Sequence, residues 1–262
     1  MSFIQLPEGP LHYQLDGPQG APVLLLSNSL GTDLRMWDPQ MPALTRHFQV
    51  LRYDTRGHGQ SLVTPGTYSM EQNGRDVLAL LDALQLPKVS FCGLSMGGLI
   101  GQWLAINAPE RLQRVVLCCT AAKIGNPDVW NPRIEMVLRD GQAAMRALRE
   151  ASIARWFTPT FAQAHPEQVQ PVVDMLAQTS PQGYAANCAA VRDADFRDQV
   201  GSISLPVLVV SGTADAVCPP ADGRFIADQI AGAEFVEFNA AHLASIEAGD
   251  AFSKRVLTFL QA

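Results

Sequence analysis

The stretch Gly93-Leu94-Ser95-Met96-Gly97 constrains this chain more than any other. The apolar run Val89-Ser90-Phe91-Cys92 ahead of it reads as a short buried strand, and residues 99–106, closed by Ala108 and Pro109, read as a helix. A glycine on either side of Ser95 allows a sharp turn from strand into helix that side chains at those positions would block. Such a turn lifts the serine hydroxyl above the sheet and aims the first helical amides at the same spot. A bare G-x-S-x-G string also arises by chance. Its weight here comes from the strand before it and the helix after it.

A strand–turn–helix unit needs neighbouring strands, and the chain supplies them in order. Residues 2–6 and 11–15, joined through Pro7-Glu8-Gly9-Pro10, form the pattern of an antiparallel hairpin at a sheet edge. Val23-Leu24-Leu25-Leu26 is an uninterrupted apolar strand of the kind covered on both faces in a parallel sheet. Gln49-Val50-Leu51-Arg52-Tyr53 is another, ending at Asp54-Thr55-Arg56-Gly57-His58-Gly59. Ser69 followed by Gln72 makes a capping box, and Val77, Leu80, Leu81 and Leu84 recur at helical spacing before Pro87. After the Ser95 unit comes the strand Val115-Val116-Leu117-Cys118-Cys119. Strand and helix in alternation predict a parallel sheet with right-handed crossovers.

Between residues 121 and 194 the strands stop. Helical composition covers 133–138, 142–157, 167–178 and 183–191, punctuated by Pro159, Pro166, Pro171 and Pro181. The stretch exceeds any ordinary connection and predicts a helical lid at 121–194, inserted into a core made of 1–120 and 195–262. Strands resume at Pro206-Val207-Leu208-Val209-Val210 and at 233–239, and the last helix carries Phe252, Val256, Phe259 and Leu260 on one face. The fold class is α/β, a mostly parallel central sheet flanked by helices.

A length of 262 residues suits one α/β domain with such an insertion. The net charge of −6 argues against nucleic acid or an anionic membrane as partner. No apolar run approaches the roughly 20 residues that span a bilayer. Five cysteines without C-x-x-C spacing read as free thiols rather than a disulfide framework or a zinc site. With no basic-then-apolar leader at Met1 to Pro7, the expected location is the cytoplasm.

A serine hydroxyl is a poor nucleophile until a base sits beside it. Of the five histidines, His12 and His47 lie in strand-like or helix-end surroundings with no evident carboxylate. His58 sits in a tight glycine turn, and His165 precedes a proline. His242 differs: it lies in Asn239-Ala240-Ala241-His242-Leu243, just past the last strand, at the carboxyl edge where ligands and catalytic groups gather. Asp215 likewise follows a strand, in Ser211-Gly212-Thr213-Ala214-Asp215, where capping a turn is the alternative. The chain order Ser95, Asp215, His242 is the one G-x-S-x-G hydrolases use. These placements predict Ser95 as nucleophile, His242 as general base and then acid, and Asp215 as the group that orients the imidazole. The oxyanion donors are predicted at the backbone N–H groups of Met96 and Leu30. Asp54 and Arg56 read as a structural turn, with Arg56 pairing a nearby carboxylate. Cys92 and Cys218 read as wall or core residues.

On these residues the whole chain resembles the α/β-hydrolase fold, and more narrowly the 3-oxoadipate enol-lactonases of bacterial aromatic catabolism. The elbow, the Asp54–Gly59 turn and the Ser95, Asp215, His242 set are shared by many esterases. Ser27-Asn28-Ser29-Leu30-Gly31-Thr32 discriminates more, because most relatives place His-Gly where this chain has Asn28-Ser29. Ala154-Arg155-Trp156-Phe157-Thr158-Pro159 also looks like that family. The resemblance implies a small anionic lactone as substrate and no metal or organic cofactor. Its carboxymethyl arm calls for a cation or hydrogen-bond donors against an apolar wall. Trp130 and Arg133 share a face if their segment is helical, the indole N–H and the guanidinium both reaching the arm, with Trp156 as a further wall. The alternative is that the lid tryptophans pack it onto the core and its arginines, such as Arg139, Arg146 and Arg149, are solvated. Two other functions fit the same residues: a general carboxylesterase or perhydrolase, and a non-catalytic ligand-binding protein on a hydrolase scaffold.

Overall fold

The computed structural model describes residues 2–262. Its strands are β1 (Ser2–Leu6), β2 (Gly9–Asp16), β3 (Val23–Ser27), β4 (Gln49–Tyr53), β5 (Val89–Leu94), β6 (Leu112–Cys118), β7 (Val207–Gly212) and β8 (Glu234–Phe238). They form one sheet in the order β1-β2-β4-β3-β5-β6-β7-β8. β1, β2 and β4 pair antiparallel, and every other pair is parallel. All residues of β5 and β7 are buried, as their apolar sequences require. β8, at the edge, is half exposed.

The helices are α1 (Met41–Leu44), α2 (Met70–Ala83), α3 (Met96–Asn107), α4 (Pro127–Asp140), α5 (Gln142–Trp156), α6 (Pro159–Ala164), α7 (Pro166–Gln178), α8 (Pro181–Asp193), α9 (Pro220–Gln229), α10 (Ala244–Glu247) and α11 (Gly249–Gln261). Ser69 caps α2 as expected, its Oγ accepting the N–H of Gln72 at 3.1 Å. Helix α3 packs on β5 and β6, α2 on α3, and α9 on β7. The predicted apolar face of α11, Phe252, Val256, Phe259 and Leu260, is buried. No helix among the described residues is long and apolar enough to cross a membrane.

Five helices, α4 to α8, stand between β6 and β7. Here the helix limits differ from those read in the sequence. The prolines at 127, 159, 166 and 181 open helices rather than end them, each at a first helical position. A helix's first N–H groups have no internal partner, so a residue without one is at home there. Asn126, Thr158 and Ser180 supply the capping oxygens. The first helix therefore begins six residues before 133, and α6 lies where the sequence predicts no helix, while α7 runs through Pro171 as the expected 167–178 helix does.

Helix α8 meets the turn after β4 by close backbone contact. A Cβ at Gly183 would lie 2.2 Å from Gly57 O, and one at Gly57 would lie 2.7 Å from Gly183 Cα. Beside this crossing, Asn187 donates from Nδ2 to Arg56 O at 2.8 Å and accepts from Asn73 Nδ2 at 3.0 Å. Arg56 pairs with Asp76 through two bonds of 2.5 and 2.7 Å and with Glu8 at 2.8 Å, the structural use expected of it. One expectation fails: His12 does have a carboxylate. The β2–β4 register pairs Tyr13 with Tyr53, which sets His12 beside Asp54, Nδ1 to Oδ2 at 2.8 Å. Asp54 also accepts the N–H groups of Leu34 and Gln60, at 2.9 and 2.8 Å, so it organises the turn.

Candidate active site

Ser95 stands between the end of β5 and the start of α3 with φ +58° and ψ −113°. A side chain rarely adopts that backbone conformation, and the surroundings hold it there. Ser95 N–H donates to Cys118 O at 2.9 Å, and Thr120 Oγ1 donates to Ser95 O at 2.8 Å. Both flanking glycines are required sterically. A Cβ at Gly93 would lie 2.2 Å from Gly97 O, and one at Gly97 would lie 2.2 Å from Ser27 O.

The loops after β7 and β8 bring two further groups to this serine. His242 Nε2 lies 2.9 Å from Ser95 Oγ, and His242 Nδ1 lies 2.8 Å from Asp215 Oδ2. The other oxygen, Asp215 Oδ1, accepts the N–H groups of Val217 and Cys218 at 2.8 and 3.0 Å. Asp215 thus caps its turn with one oxygen and faces the imidazole with the other. Ser95, His242 and Asp215 are all buried. A hydroxyl, an imidazole and a carboxylate in this sequence can move a proton from oxygen to nitrogen and stabilise the cation formed.

The loop after β3 closes the site from another side. Asn28 is its anchor: Nδ2 donates to Tyr53 O at 2.7 Å, and Oδ1 accepts the indole N–H of Trp37 at 3.0 Å. Gly31, at φ +82°, donates its N–H to His58 Nε2 at 2.9 Å. Leu30, between them, faces the same cavity as Ser95. Met96 is the first residue of α3, where a backbone N–H has no partner within the helix.

Ser95, His242 and Leu30 open on a cavity of about 250 Å³ whose remaining wall comes largely from α4, α5 and α8. Trp130, Arg133 and Trp156 line it, as do Ser152, Arg155 and Tyr184, which the sequence reading did not single out. Arg155 stands in the Ala154–Pro159 stretch that carried the resemblance, so a signal was present. Tyr184 left none. One detail is corrected: the Trp130 indole N–H is already donated to Ile124 O at 2.8 Å, so it offers the cavity a ring rather than a donor. The Arg133 guanidinium lies over that ring, 5.0 Å from its centroid.

Charge in the cavity wall is one-sided. Among the described residues neither Arg133 nor Arg155 has a carboxylate within ion-pair distance, although the other arginines of the insertion, except Arg146, pair at the surface. Arg155 NH2 donates to Ser152 Oγ at 3.1 Å. Burial and the neighbouring Arg133 lower the Arg155 pKa, the signature of a cation held without its counter-ion. Burial pushes the Tyr184 phenol up, so it stays protonated. The five cysteines are free and buried, and burial raises the thiols of Cys118, Cys119, Cys188 and Cys218. Those four stay protonated thiols.

A mostly parallel sheet, a strained serine elbow after its fifth strand and a serine–histidine–aspartate relay at its carboxyl edge define a class of hydrolase. Residues 22–249 match the family described as alpha/beta hydrolase fold. The chain belongs to the alpha/beta hydrolase family and is a hydrolase. It is 44% identical to 3-oxoadipate enol-lactonase 2 of Acinetobacter baylyi over 94% of this chain and 91% of that one. Its identity to 3-oxoadipate enol-lactonase 1 of the same organism is 42%, over 92% and 90% of the two chains. Among solved structures, the enol-lactonase from Burkholderia xenovorans superposes with a TM-score of 0.97 at 47% identity, covering 100% of both chains.

Proposed function

We propose that this chain opens 3-oxoadipate enol-lactone to 3-oxoadipate through an acyl-enzyme on Ser95. One observation carries the reading: the Ser95–His242–Asp215 relay opens on a small cavity whose wall holds two arginines without carboxylate partners. Such a wall suits an anionic substrate. The names of the enol-lactonase relatives support the same choice.

In this reading residues 121–194 are a lid over the core. Arg133 and Arg155 hold the carboxylate of the substrate's arm, and Trp130 and Trp156 flank its ring. Ser95 Oγ forms a bond to the ring carbonyl carbon while His242 Nε2 takes its proton. The backbone N–H groups of Leu30 and Met96 receive the oxyanion. Asp215 steadies the imidazolium without taking the proton. Collapse breaks the ring C–O bond and leaves the electron pair on the enol oxygen. The enol becomes a ketone as carbon gains the proton. Water then gives a proton to His242 and attacks the acyl carbon, and Ser95 leaves with its own proton restored. The sum is one lactone and one water giving one keto-dicarboxylate, the new carboxyl group releasing its proton to solvent. The five buried free thiols suit a reducing cytoplasm as its location.

The test is the ultraviolet loss of enzymatically prepared enol-lactone, compared with cleavage of a neutral p-nitrophenyl ester, with Ser95→Ala as control. Strong preference for the lactone is expected. Brisk ester cleavage with slow lactone turnover would instead make this a general carboxylesterase of the same fold.

A further inference from the structure

Glu247, at the end of α10, is half-buried and lies outside the relay. Its carboxylate is nonetheless fully engaged. Oε2 accepts the N–H of Ala241 at 3.0 Å and the N–H of Thr158 at 3.1 Å, and Oε1 accepts the Thr158 hydroxyl. No cation lies within ion-pair distance of it among the described residues. The group is satisfied by neutral donors from two segments far apart in sequence.

Those two segments matter. Ala241 immediately precedes His242. Thr158 follows the end of α5, which carries Arg155 and Trp156 in the cavity wall. A second bond runs directly between the same segments, Leu243 N–H to Trp156 O at 3.0 Å. His242 is therefore bracketed: the residue before it is tied to Glu247, and the residue after it to Trp156. A carboxylate is the side chain that can accept from two backbone amides and a hydroxyl at once. Thr158 has a further duty, since its Oγ1 also caps α6 by accepting from Phe161 N at 3.3 Å.

We propose that Glu247 is a positioning residue for His242, clamping its loop to the end of α5 so that the imidazole and the cavity wall hold one geometry. The inference rests on His242 being the base. The relay bond to Ser95 is 2.9 Å long and depends on a loop of small residues, Asn239-Ala240-Ala241, with few side chains of its own to fix it. The clamp supplies that fixing from outside the loop. It also links the base to Arg155 and Trp156, so the wall that meets the substrate and the group that moves the proton share one support.

The experiment compares Glu247→Ala, Glu247→Gln and Thr158→Val with wild type on both the enol-lactone and a neutral p-nitrophenyl ester. It is run at a temperature where circular dichroism shows each variant folded. Glu247→Ala should lower kcat on both substrates by about 10- to 100-fold, the usual cost of a misplaced catalytic group, with a smaller change in KM. Glu247→Gln should recover most of the loss, because its carbonyl can take both amide bonds while its NH2 turns to Thr158 Oγ1. Thr158→Val should lower kcat severalfold. The proton on His242 Nδ1, followed by nuclear magnetic resonance, should shift or broaden in Glu247→Ala. A purely structural role would lower the melting temperature and leave kcat and this resonance alone, which overturns the proposal. If Glu247→Ala does not fold, Thr158→Val decides, and an unchanged kcat there overturns it too. His242→Ala separates the two ideas: if it is inactive while Glu247→Ala is unimpaired, only the clamp is wrong. If His242→Ala stays active, the base assignment fails and the clamp with it.

Discussion

Gly31 donates its backbone N–H to Nε2 of His58 at 2.9 Å, joining the loop after β3 to the turn after β4. An imidazole that accepts there carries its proton on Nδ1, which faces Arg56 O at 3.3 Å. Burial pushes the His58 pKa from 6.5 down to about 4, so the ring is neutral throughout the ordinary working range. The unfolded chain takes up this proton before the folded one does. Stability from His58 is therefore level above pH 6.5, declines as pH falls, and reaches a deficit of about 3 kcal/mol near pH 4. Urea unfolding at pH 7 and at pH 5 should show this slope in wild type and a shallower one in His58→Asn. Equal slopes would remove His58 from the acid sensitivity.

The relay predicts a graded loss of activity. Ser95→Ala and His242→Ala should each lower kcat by roughly 10⁴- to 10⁶-fold. Asp215→Asn should cost about 10⁴-fold through a different cause. Its carbonyl can still accept from Val217 and Cys218, but its NH2 faces His242 Nδ1 and selects the wrong tautomer. Steady-state kinetics with folded variants checks this, and near-wild-type rates in any of the three would refute the assignment.

The two cavity arginines should act on charge. A hydrogen-bonded ion contact of this kind contributes about 1.5–3 kcal/mol, so Arg155→Met should raise KM for the anionic lactone about 10- to 100-fold. KM for a neutral ester should rise far less. Equal effects on both substrates would mean that Arg155 supports the wall rather than the anion. Arg133→Met tests the neighbouring cation, with loss of packing on Trp130 as an added effect.

The Gly57–Gly183 crossing should tolerate no side chain. Gly183→Ala places a methyl 2.2 Å from backbone, which must move because nothing flexible is in the way. Overpacking of this sort costs about 1–3 kcal/mol, or roughly 2–12 °C in a thermal melt of a chain this size. Tyr184, the next residue, lines the cavity, so KM should change as well. Gly201→Ala is the control, its nearest neighbour lying at an ordinary 3.4 Å. A melt equal to the control would show that α8 is free to shift.

Which features were legible from the sequence follows from how local their causes are. Buried parallel strands are apolar runs, so β3, β4 and β5 were visible. The elbow is legible because its G-x-S-x-G spacing is local, Gly93 answering to Gly97 O four residues on, although Gly97 itself answers to Ser27 O on the neighbouring strand, 70 positions away. Within residues 121–194 the start at 142 is legible and those at 167 and 183 lie within two residues of the observed ones. The start of α4 at Pro127 and the short α6 are not legible, although Asn126 and Thr158 stand just ahead as caps. His12 gives no such signal, because its carboxylate, Asp54, is 42 positions away and reaches it only through strand pairing.

By itself the sequence determined the alternation of strands and helices, the strained turn at Ser95, and a histidine and an aspartate each just beyond a strand. These depend on residue type and near neighbours. Only the tertiary structure decided that Arg155 and Tyr184 share the cavity, that the Trp130 indole N–H is already occupied, and that Glu247 ties Ala241 to Thr158. Each of those depends on side chains from segments separated by many residues, and their meeting is set by how α4, α5 and α8 pack over the sheet.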